Sequence, residues 1–307
     1  MSLQRIVDIA EDGQHVSLKR GFLLVSKAGE ERGRVPLDDI CAVIVHGHGT
    51  TFSANLAAAL AERAVFAVFC DRRHQPTACL WPLSGHHVQG GRMRAQIAAK
   101  LPLKKRLWQQ IVAAKIAGQA AVLAAVGEDD ARLRRLAASV RSGDPDNREA
   151  QAARHYWQRL MGPDFRRDRE AGGANALLNY GYAVLRAAVA REIVASGLHP
   201  TVAVHHCAGR NDMALADDLM EPFRPFVDNT VRQLAKSGDE EVTPAAKARL
   251  AAILAMDMDG PQGTTTLGFA LRRAAQSLAE SFLAGQPRLL LPAPPGPMQL
   301  AAMGRGQ

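Results

Sequence analysis

The segment HHCAGRNDMALADDLMEPFRP, residues 205–225, begins with two histidines and has three carboxylates within positions 217–221, in a chain whose net charge is +8. Asp217, Asp218 and Glu221 are spaced so that a helix would bring them to one side, where like charges repel unless a cation offsets them. Carboxylate oxygens suit Mg²⁺, and a mixed carboxylate and imidazole set also suits Mn²⁺. The pattern therefore indicates a divalent metal site. The alternative is a solvated acidic helix face.

Pro222 directly follows the last of these acids. Because proline has no backbone N–H, the carbonyl of Asp218 loses its usual helical partner, and we expect the helix to bend or loosen there. Arg224 could balance the acids through an ion pair, which is the alternative to a metal. His205 and His206 are adjacent and should point in different directions, so we expect one of them to face the acids.

Glu149 lies on the apolar side of a second predicted helix. The segment DPDNREAQAARHYWQRLMG has Asp144 as a candidate cap and Pro145 at the first helical position. The positions that share a face with Glu149 are Ala152, Ala153, Tyr156 and Leu160. A carboxylate near the core must be paired, hydrogen-bonded or bound to a metal. Two roles stay open here: a metal ligand, or the partner of an arginine in the first turn.

The elements before residue 90 are mostly short strands. The segments RIVDIA, HVSLK, GFLLVSK and ERGRVPL are apolar or alternating and are separated by the turn sequences EDGQ and KAGE. DDICAVIVHGHG and AVFAVFCD read as further strands, and TTFSANLAAALAERA reads as a helix capped near Ser53. The sequence thus predicts a β-rich domain over residues 1–83, followed by a linker, SGHHVQGG, over residues 84–91.

The rest of the chain is rich in alanine, leucine and arginine at helical spacing. The predicted helices cover residues 92–126, 128–140, 145–161, 174–196, 213–235, 243–257 and 264–285. They form an α-helical domain over residues 92–285 that carries the acids and histidines, and the proline-rich end at 286–307 predicts a loosely ordered tail. The fold class is α+β, with a small N-terminal β-rich domain followed by a larger all-α catalytic domain.

Composition narrows the possible environments. No apolar run is long enough to span a bilayer and no signal peptide is recognisable, so we expect a cytoplasmic protein with no membrane partner. The four cysteines, Cys41, Cys70, Cys79 and Cys207, are scattered and predict mostly buried thiols rather than disulfides or a zinc site. The pI of about 9.7 suits a partner with many phosphates, and it also suits an ordinary basic protein.

Several motifs together resemble one known family. NALLNYGYAVLRAAVAREIVASGLHP, then HH, then LADDLMEPFRPFVD are similar to the CRISPR adaptation integrase Cas1 in its type II form. VPLDDI and VFCDRRHQP in the β-rich part match the layout of that family, so the resemblance covers nearly the whole chain. The segment CAGRNDM departs from the usual type II sequence between the histidines and the acids.

The resemblance assigns roles to individual residues. It implies that Glu149, His206 and Glu221 are the catalytic residues and hold Mg²⁺ or Mn²⁺. The family spacing between histidine and acid favours His206 over His205, which becomes its neighbour. Asp218 matches a further acid near the metal and, with His205, is a possible outer-shell residue.

The resemblance also implies the reaction and its partners. A homodimer would work with the adaptation protein Cas2, and with other type II adaptation proteins, on double-stranded and branched DNA. The 3′-hydroxyl ends of a short DNA fragment would attack a CRISPR array at the edge of a repeat. Two other readings stay open: a metal-dependent nuclease that cuts branched DNA in repair, and a non-catalytic DNA-binding scaffold.

DNA would need a basic surface beside the site. The candidate DNA-binding residues are Arg92, Arg94, Lys104, Lys105, Arg106, Arg166 and Arg167, together with Lys100 and Arg169. Contacts of this kind to phosphates are independent of sequence and sensitive to salt. For each of these residues the alternative is a solvated helix face.

Overall fold

The computed structural model describes residues 5–71, 76–83, 85–206, 211–260, 263–296 and 299–300. The strands of the N-terminal part are β1 (Arg5–Ile9), β2 (His15–Lys19), β3 (Phe22–Lys27), β4 (Glu30–Pro36), β5 (Ile40–Val45), β6 (Thr51–Phe52), β7 (Phe66–Cys70) and β8 (Pro76–Leu80). One helix, α1 (Ala54–Glu62), interrupts them. The predicted β-rich character of this part is confirmed, and the division of the chain at residues 84–91 stays a prediction.

Two four-stranded sheets form this part of the described chain. The first has the order β1-β5-β7-β8, in which β1, β5 and β7 run parallel and β8 is antiparallel. The second has the order β4-β3-β2-β6. Every residue of β5 is buried, which explains its continuous apolar run, ICAVIV. Alternate β5 side chains face opposite sides, so that Ala42 and Ile44 join the core with the helices whereas Val43 and Val45 join the core with the second sheet and α1.

The remaining helices build the C-terminal part. They are α2 (Gln89–Ile97), α3 (Leu101–Ala125), α4 (Ala131–Ala138), α5 (Arg148–Met161), α6 (Ala174–Ala195), α7 (Ala214–Met220), α8 (Arg224–Lys236), α9 (Pro244–Ala252) and α10 (Leu267–Ala284). The helix α6 packs against β5 and β7 on one side and against α7, α8, α9 and α10 elsewhere. It therefore connects the first sheet to the helices that carry the predicted site.

The single helix predicted over residues 92–126 is wrong. The structure has α2, which begins at Gln89 inside the predicted linker, and α3, which begins at Leu101. Pro102 lies in the first turn of α3 and cannot donate a hydrogen bond to the carbonyl of Ala98, so a continuous helix is broken there.

Two other predicted helices are shorter than expected because a β-hairpin separates them. Strands β9 (Asp257–Gly260) and β10 (Gly263–Thr266) pair antiparallel between α9 and α10. Thr266 then caps α10, since its hydroxyl accepts a hydrogen bond from the N–H of Phe269 at 3.3 Å. The threonines of β10 favour a strand more than a helix. The helical spacing of the segments on either side hides this preference in the sequence.

The proline-rich end is held more firmly than the sequence predicts. The Ser277 and Ser281 hydroxyls accept hydrogen bonds from the backbone N–H groups of Leu290 and Arg288, each at 2.9 Å. The carbonyl of Leu300 accepts hydrogen bonds from side chains of α8, and its own side chain is buried. Within its described residues, this segment is therefore bound along α8 and α10.

Two further points concern the described residues alone. None of their helices is long and apolar enough to cross a membrane. Cys41, Cys70 and Cys79 are free thiols, of which Cys41 is buried, Cys70 half-buried and Cys79 exposed. Full burial of Cys41, and partial burial of the other two sulfur atoms, raises the pKa of each thiol above its ordinary value. Cys207 lies outside the described residues.

Candidate active site

Glu149 stands in the first turn of α5. The side chain of Asn147 caps this helix from a left-handed conformation with φ of 52°, accepting a hydrogen bond from the N–H of Ala150. The carboxylate of Asp144 accepts hydrogen bonds from the N–H groups of Arg148 and Glu149 at 2.8 and 3.0 Å. The helix thus begins at Arg148, and the prediction of Pro145 as its first residue is wrong. Asp144 nevertheless stabilises the first turn, as the sequence indicates.

Glu149 and Glu221 both contact the ammonium group of Lys115. The Lys115 Nζ atom lies 2.6 Å from Glu149 Oε1 and 2.5 Å from Glu221 Oε2. Burial alone would lower the pKa of the lysine, but the two carboxylates together raise it above its ordinary value. The ammonium group is therefore charged and joins α5 to the turn after α7.

The turn that carries Glu221 is the bend that Pro222 predicts. Residues Glu221–Phe223 form one turn of 3₁₀-helix, and the carbonyl of Asp218 accepts its hydrogen bond from the N–H of Glu221. Arg224 Nε lies 2.9 Å from Glu221 Oε1. Burial would raise the pKa of Glu221, but Arg224 and Lys115 hold that pKa below its ordinary value, so the carboxylate is ionised.

Asp218 anchors the histidine segment. Its carboxylate is fully buried and accepts hydrogen bonds from the N–H groups of Val204 and His205 at 2.8 and 2.7 Å. His206 Nδ1 lies 2.5 Å from Asp218 Oδ1, and this hydrogen bond raises the pKa of His206. A carboxylate bound to Nδ1 fixes the ring and directs Nε2 away from it, as in many metal-binding histidines.

The two histidines have different surroundings, as their adjacency predicts. The ring of His205 stacks on Trp108 of α3, with centroids 4.2 Å apart and an angle of 5° between the rings. His206 meets the same indole edge-on at 5.2 Å. Burial and the neighbouring His206 lower the pKa of His205. His206 thus faces Asp218, and its pKa also responds to the charges of Glu221 and Glu149.

Asp217 does not belong to this group, although its spacing placed it with the other acids. Arg186 Nε of α6 lies 2.7 Å from its carboxylate, and the Asn211 amide donates a hydrogen bond to the same carboxylate at 2.8 Å. Successive residues of a helix point in different directions, so Asp217 and Asp218 face different neighbours.

The chemistry of the donor set fits a divalent cation. Two carboxylates and an oriented imidazole are the ligand types that Mg²⁺ and Mn²⁺ accept, and the carboxylates already contact one positive charge. Among the described residues, no three His, Cys, Asp or Glu side chains are arranged as a ready-made metal cluster. A metal would therefore take carboxylate oxygens that now contact Lys115.

Lys115 is the residue of this site that the sequence prediction missed. Its signal lies in the spacing, because Lys115 shares an α3 face with Trp108, Ile111 and Val112 and stands in the middle of the helix, unlike Lys104 near its start. Those three side chains are almost fully buried, and a lysine at helical spacing from them must have an anionic partner.

Asp228 of α8 is a second buried carboxyl group near Arg224. The guanidinium of Arg224 packs over the ring of Tyr182, 4.5 Å from its centroid, and Tyr182 donates a short hydrogen bond to Asp228 of α8. Burial raises the pKa of Asp228 to about 7. Tyr156 is completely buried, and Tyr180 donates a hydrogen bond to Asp8 of the first sheet at 3.3 Å.

The candidate DNA-binding residues differ in their surroundings. Arg94, Lys105, Arg106 and Arg166 are exposed, and Lys104 is half-buried. Arg92 donates a hydrogen bond to the carbonyl of Ser196 at 2.9 Å. Arg167 donates hydrogen bonds to Asn175 and Asn179 at 3.0 and 2.6 Å. Arg92 and Arg167 thus have structural partners, and a role of any of the seven in DNA binding stays a prediction.

Comparison with known proteins identifies the relatives of this chain. Residues 7–249 match the family model described as CRISPR associated protein Cas1. The CRISPR-associated endonuclease Cas1 of Neisseria meningitidis serogroup C (strain 8013) is 43% identical over 246 residues, which cover 79% of this chain and 80% of the relative.

Two solved structures share the fold at low sequence identity. A casposase bound to an integration product has a TM-score of 0.77 at 20% identity, covering 93% of this chain and 92% of the casposase. A Cas6-RT-Cas1–Cas2 complex has a TM-score of 0.73 at 18% identity, covering 94% of this chain and 36% of that chain. The α+β architecture is thus the one that these proteins have.

Proposed function

Because this chain belongs to the CRISPR-associated Cas1 family, we propose that it is a metal-dependent DNA integrase of the type II form, which inserts short DNA fragments into a CRISPR array. The observation that carries the proposal is the pair Glu149 and Glu221, which share one positive charge, with the Asp218-bound His206 near enough for both carboxylates to raise its pKa.

The reaction exchanges one phosphodiester bond for another and so needs no ATP. The 3′-oxygen of the incoming fragment would bond to a target phosphorus while the bond from that phosphorus to the target 3′-oxygen breaks. The attacking hydroxyl gives up its proton, and the released 3′-oxygen takes up a proton, so that no net proton is consumed. Glu149, His206 and Glu221 would hold the metal, which supplies Lewis acidity toward the phosphate oxygens.

The residues of the chain prepare this site. Asp218 fixes the His206 ring through Nδ1, so that Nε2 can act as a ligand. Arg224 holds Glu221 ionised and in place from its other oxygen. Asp144 holds the first turn of α5, and with it the backbone of Glu149. Each ligand thus has a second group that orients it.

The proposed partners follow from the relatives. The casposase bound to an integration product and the complex that contains Cas2 support DNA and Cas2 as partners, and our proposal extends this to double-stranded and branched DNA. We include a homodimer and other type II adaptation proteins in the proposal. The exposed basic residues would contact the DNA backbone, so affinity should fall steeply with salt.

A second function has specific support. The relative from Neisseria meningitidis is described as an endonuclease, and the same residues could direct water instead of a 3′-hydroxyl at the phosphate. A nuclease acting on branched DNA in repair is therefore the alternative to the integrase.

The test combines the protein and Cas2 with a short duplex that has free 3′-hydroxyl ends and a target that contains a repeat edge. We expect joined product with Mn²⁺ or Mg²⁺, and none with a chelator or with Glu221→Gln. Glu280→Gln, an exposed position on α10, is the matched control and should join normally. Cutting of branched DNA without joining would favour the nuclease. DNA binding with neither reaction would favour the non-catalytic scaffold.

A further inference from the structure

The ammonium group of Lys115 lies between Glu149 and Glu221, the two carboxylates of the proposed metal site. Its Nζ atom is within 2.6 Å of Glu149 Oε1 and 2.5 Å of Glu221 Oε2. The exposed fractions of the Lys115 and Glu221 side chains are only 11% and 7%, so water screens this contact weakly. One positive charge thus holds two carboxylates that come from different elements.

The other charges near the site do not duplicate this contact. Arg224 pairs with Glu221 through Oε1, whereas Lys115 lies at Oε2. Arg224 therefore stabilises Glu221 without lying between the two glutamates. Only the lysine has both carboxylates within ion-pairing distance among the described cationic side chains.

The backbone of Lys115 is fixed, so a change at this position would be confined to the side chain. Helix α3 packs against the turn after α7, and Gly118 permits the close approach, since a Cβ atom there would lie 3.1 Å from Pro225 Cγ. Trp108 and Ile111 anchor the same side of α3 in the core. The flexible four-carbon stem of lysine could still move its ammonium group away from the carboxylates.

We propose that Lys115 is an internal counter-cation, which holds Glu149 and Glu221 in place in the metal-free protein and which a divalent cation must displace to bind. The inference rests on the metal site of the proposed function. A divalent cation that bridged Glu149 Oε1 and Glu221 Oε2 would occupy the position of the Lys115 Nζ atom, which lies 2.6 and 2.5 Å from these two oxygens. Metal binding and the Lys115 contacts therefore exclude one another.

The size of the competition can be bounded from the contacts. Even at the dielectric constant of water, one contact of opposite charges about 4 Å apart is worth about fivefold in an equilibrium constant, and the two Lys115 contacts are shorter. Removing both should therefore tighten divalent metal binding by about twentyfold or more. The same change should leave the metal-free protein less stable, because the half-buried Glu149 then loses this cation and the buried Glu221 keeps only its contact with Arg224.

The test measures Mn²⁺ binding without DNA, by the electron paramagnetic resonance signal of free Mn²⁺. Lys115→Met keeps the length of the side chain and removes its charge, and Lys236→Met removes an exposed lysine of α8 as the matched control. We expect Lys115→Met to bind Mn²⁺ about twentyfold more tightly than wild type, and Lys236→Met to bind it as wild type does. In thermal unfolding, Mn²⁺ should raise the midpoint of Lys115→Met more than that of wild type.

Each other outcome overturns the inference. Equal or weaker Mn²⁺ binding by a folded Lys115→Met would show that the lysine does not compete with the metal. Lys115→Gln, which removes the charge but keeps hydrogen-bond donors, replaces the methionine variant if that one does not fold. If neither variant folds even with Mn²⁺, Lys115 is a structural requirement and not a displaceable cation.

The inference and the proposed function can fail separately. Tighter Mn²⁺ binding by Lys115→Met, with no joining by wild type and Cas2, would keep the counter-cation and reject the integrase. Joining by wild type, with unchanged Mn²⁺ binding by Lys115→Met, would support the integrase and reject the counter-cation.

Discussion

Asp228→Asn is expected to stabilise the protein near neutral pH. The side chain of Asp228 is 1% exposed, and burial raises its pKa from the ordinary 3.8 to about 7. The groups that face it are the hydroxyls of Tyr182 and Tyr156 and the charges of Arg224 and Lys115, which offset burial only in part. Asparagine resembles the protonated acid and needs no ionisation at any pH.

The sign and size follow from linkage. Between pH 3.8 and about 7 the folded protein retains the Asp228 proton and the unfolded chain releases it, so this group's contribution to stability falls as the pH rises. A tenfold difference in acidity between the folded and unfolded states corresponds to about 1.4 kcal/mol, so the raised pKa costs up to about 4 kcal/mol above pH 7. The asparagine variant should recover part of this, since its two N–H groups also need acceptors.

Urea unfolding at pH 5 and pH 8 measures the effect. We expect the stability of wild type to fall more between these pH values than that of Asp228→Asn, with the variant more stable by about 1–3 kcal/mol at pH 8. Asp239→Asn, at an exposed position after α8, is the matched control and should leave the slope unchanged. A variant that is less stable than wild type at pH 8, with the same slope, would refute the reasoning. It would mean that Asp228 is ionised and paired in the folded protein.

Three further changes have definite expectations. Ser53→Ala removes the cap of α1 and should cost about 1 kcal/mol in urea unfolding without changing DNA joining. Gly181→Ala should destabilise by about 1–3 kcal/mol, because the added Cβ would lie 2.5 Å from Val227 Cγ1; a stability within about 0.5 kcal/mol of wild type would contradict this packing. Asp218→Asn should weaken Mn²⁺ binding by about 10–100-fold, measured by titration, because His206 loses its charged partner; unchanged affinity would argue against His206 as a ligand.

The sequence predicts the main elements of the N-terminal part because their signals are local. Apolar and polar residues alternate in β2, as expected for a strand with one face toward the core. The apolar run of β5 is continuous because both of its faces are buried. Ser53 is a recognisable cap. The pairing of β2 with β6, and the order β1-β5-β7-β8, depend on contacts between distant residues, which periodicity does not contain.

The candidate site is predicted in part for the same reason. Spacing on α7 brings Asp218 and Glu221 together, and adjacency separates His205 from His206. The position of Lys115 against Glu149 and Glu221 requires three elements to meet, so its partners could not be identified from its own helix. For Asp217 the sequence led to the opposite error. Its spacing from Asp218 and Glu221 predicted a place in the metal site, but in the structure its carboxylate pairs with Arg186.

The assignment of His206 to the metal is tested most directly by comparing His206→Ala with His205→Ala in the joining reaction. The reaction contains Cas2, a duplex with free 3′-hydroxyl ends, a repeat-edge target and Mn²⁺. The structure binds His206 to the buried Asp218 and stacks His205 on Trp108. We predict that His206→Ala abolishes joined product, and that His205→Ala retains a measurable fraction of it. Joining that survives in His206→Ala but is lost in His205→Ala would contradict the assignment of His206 to the metal.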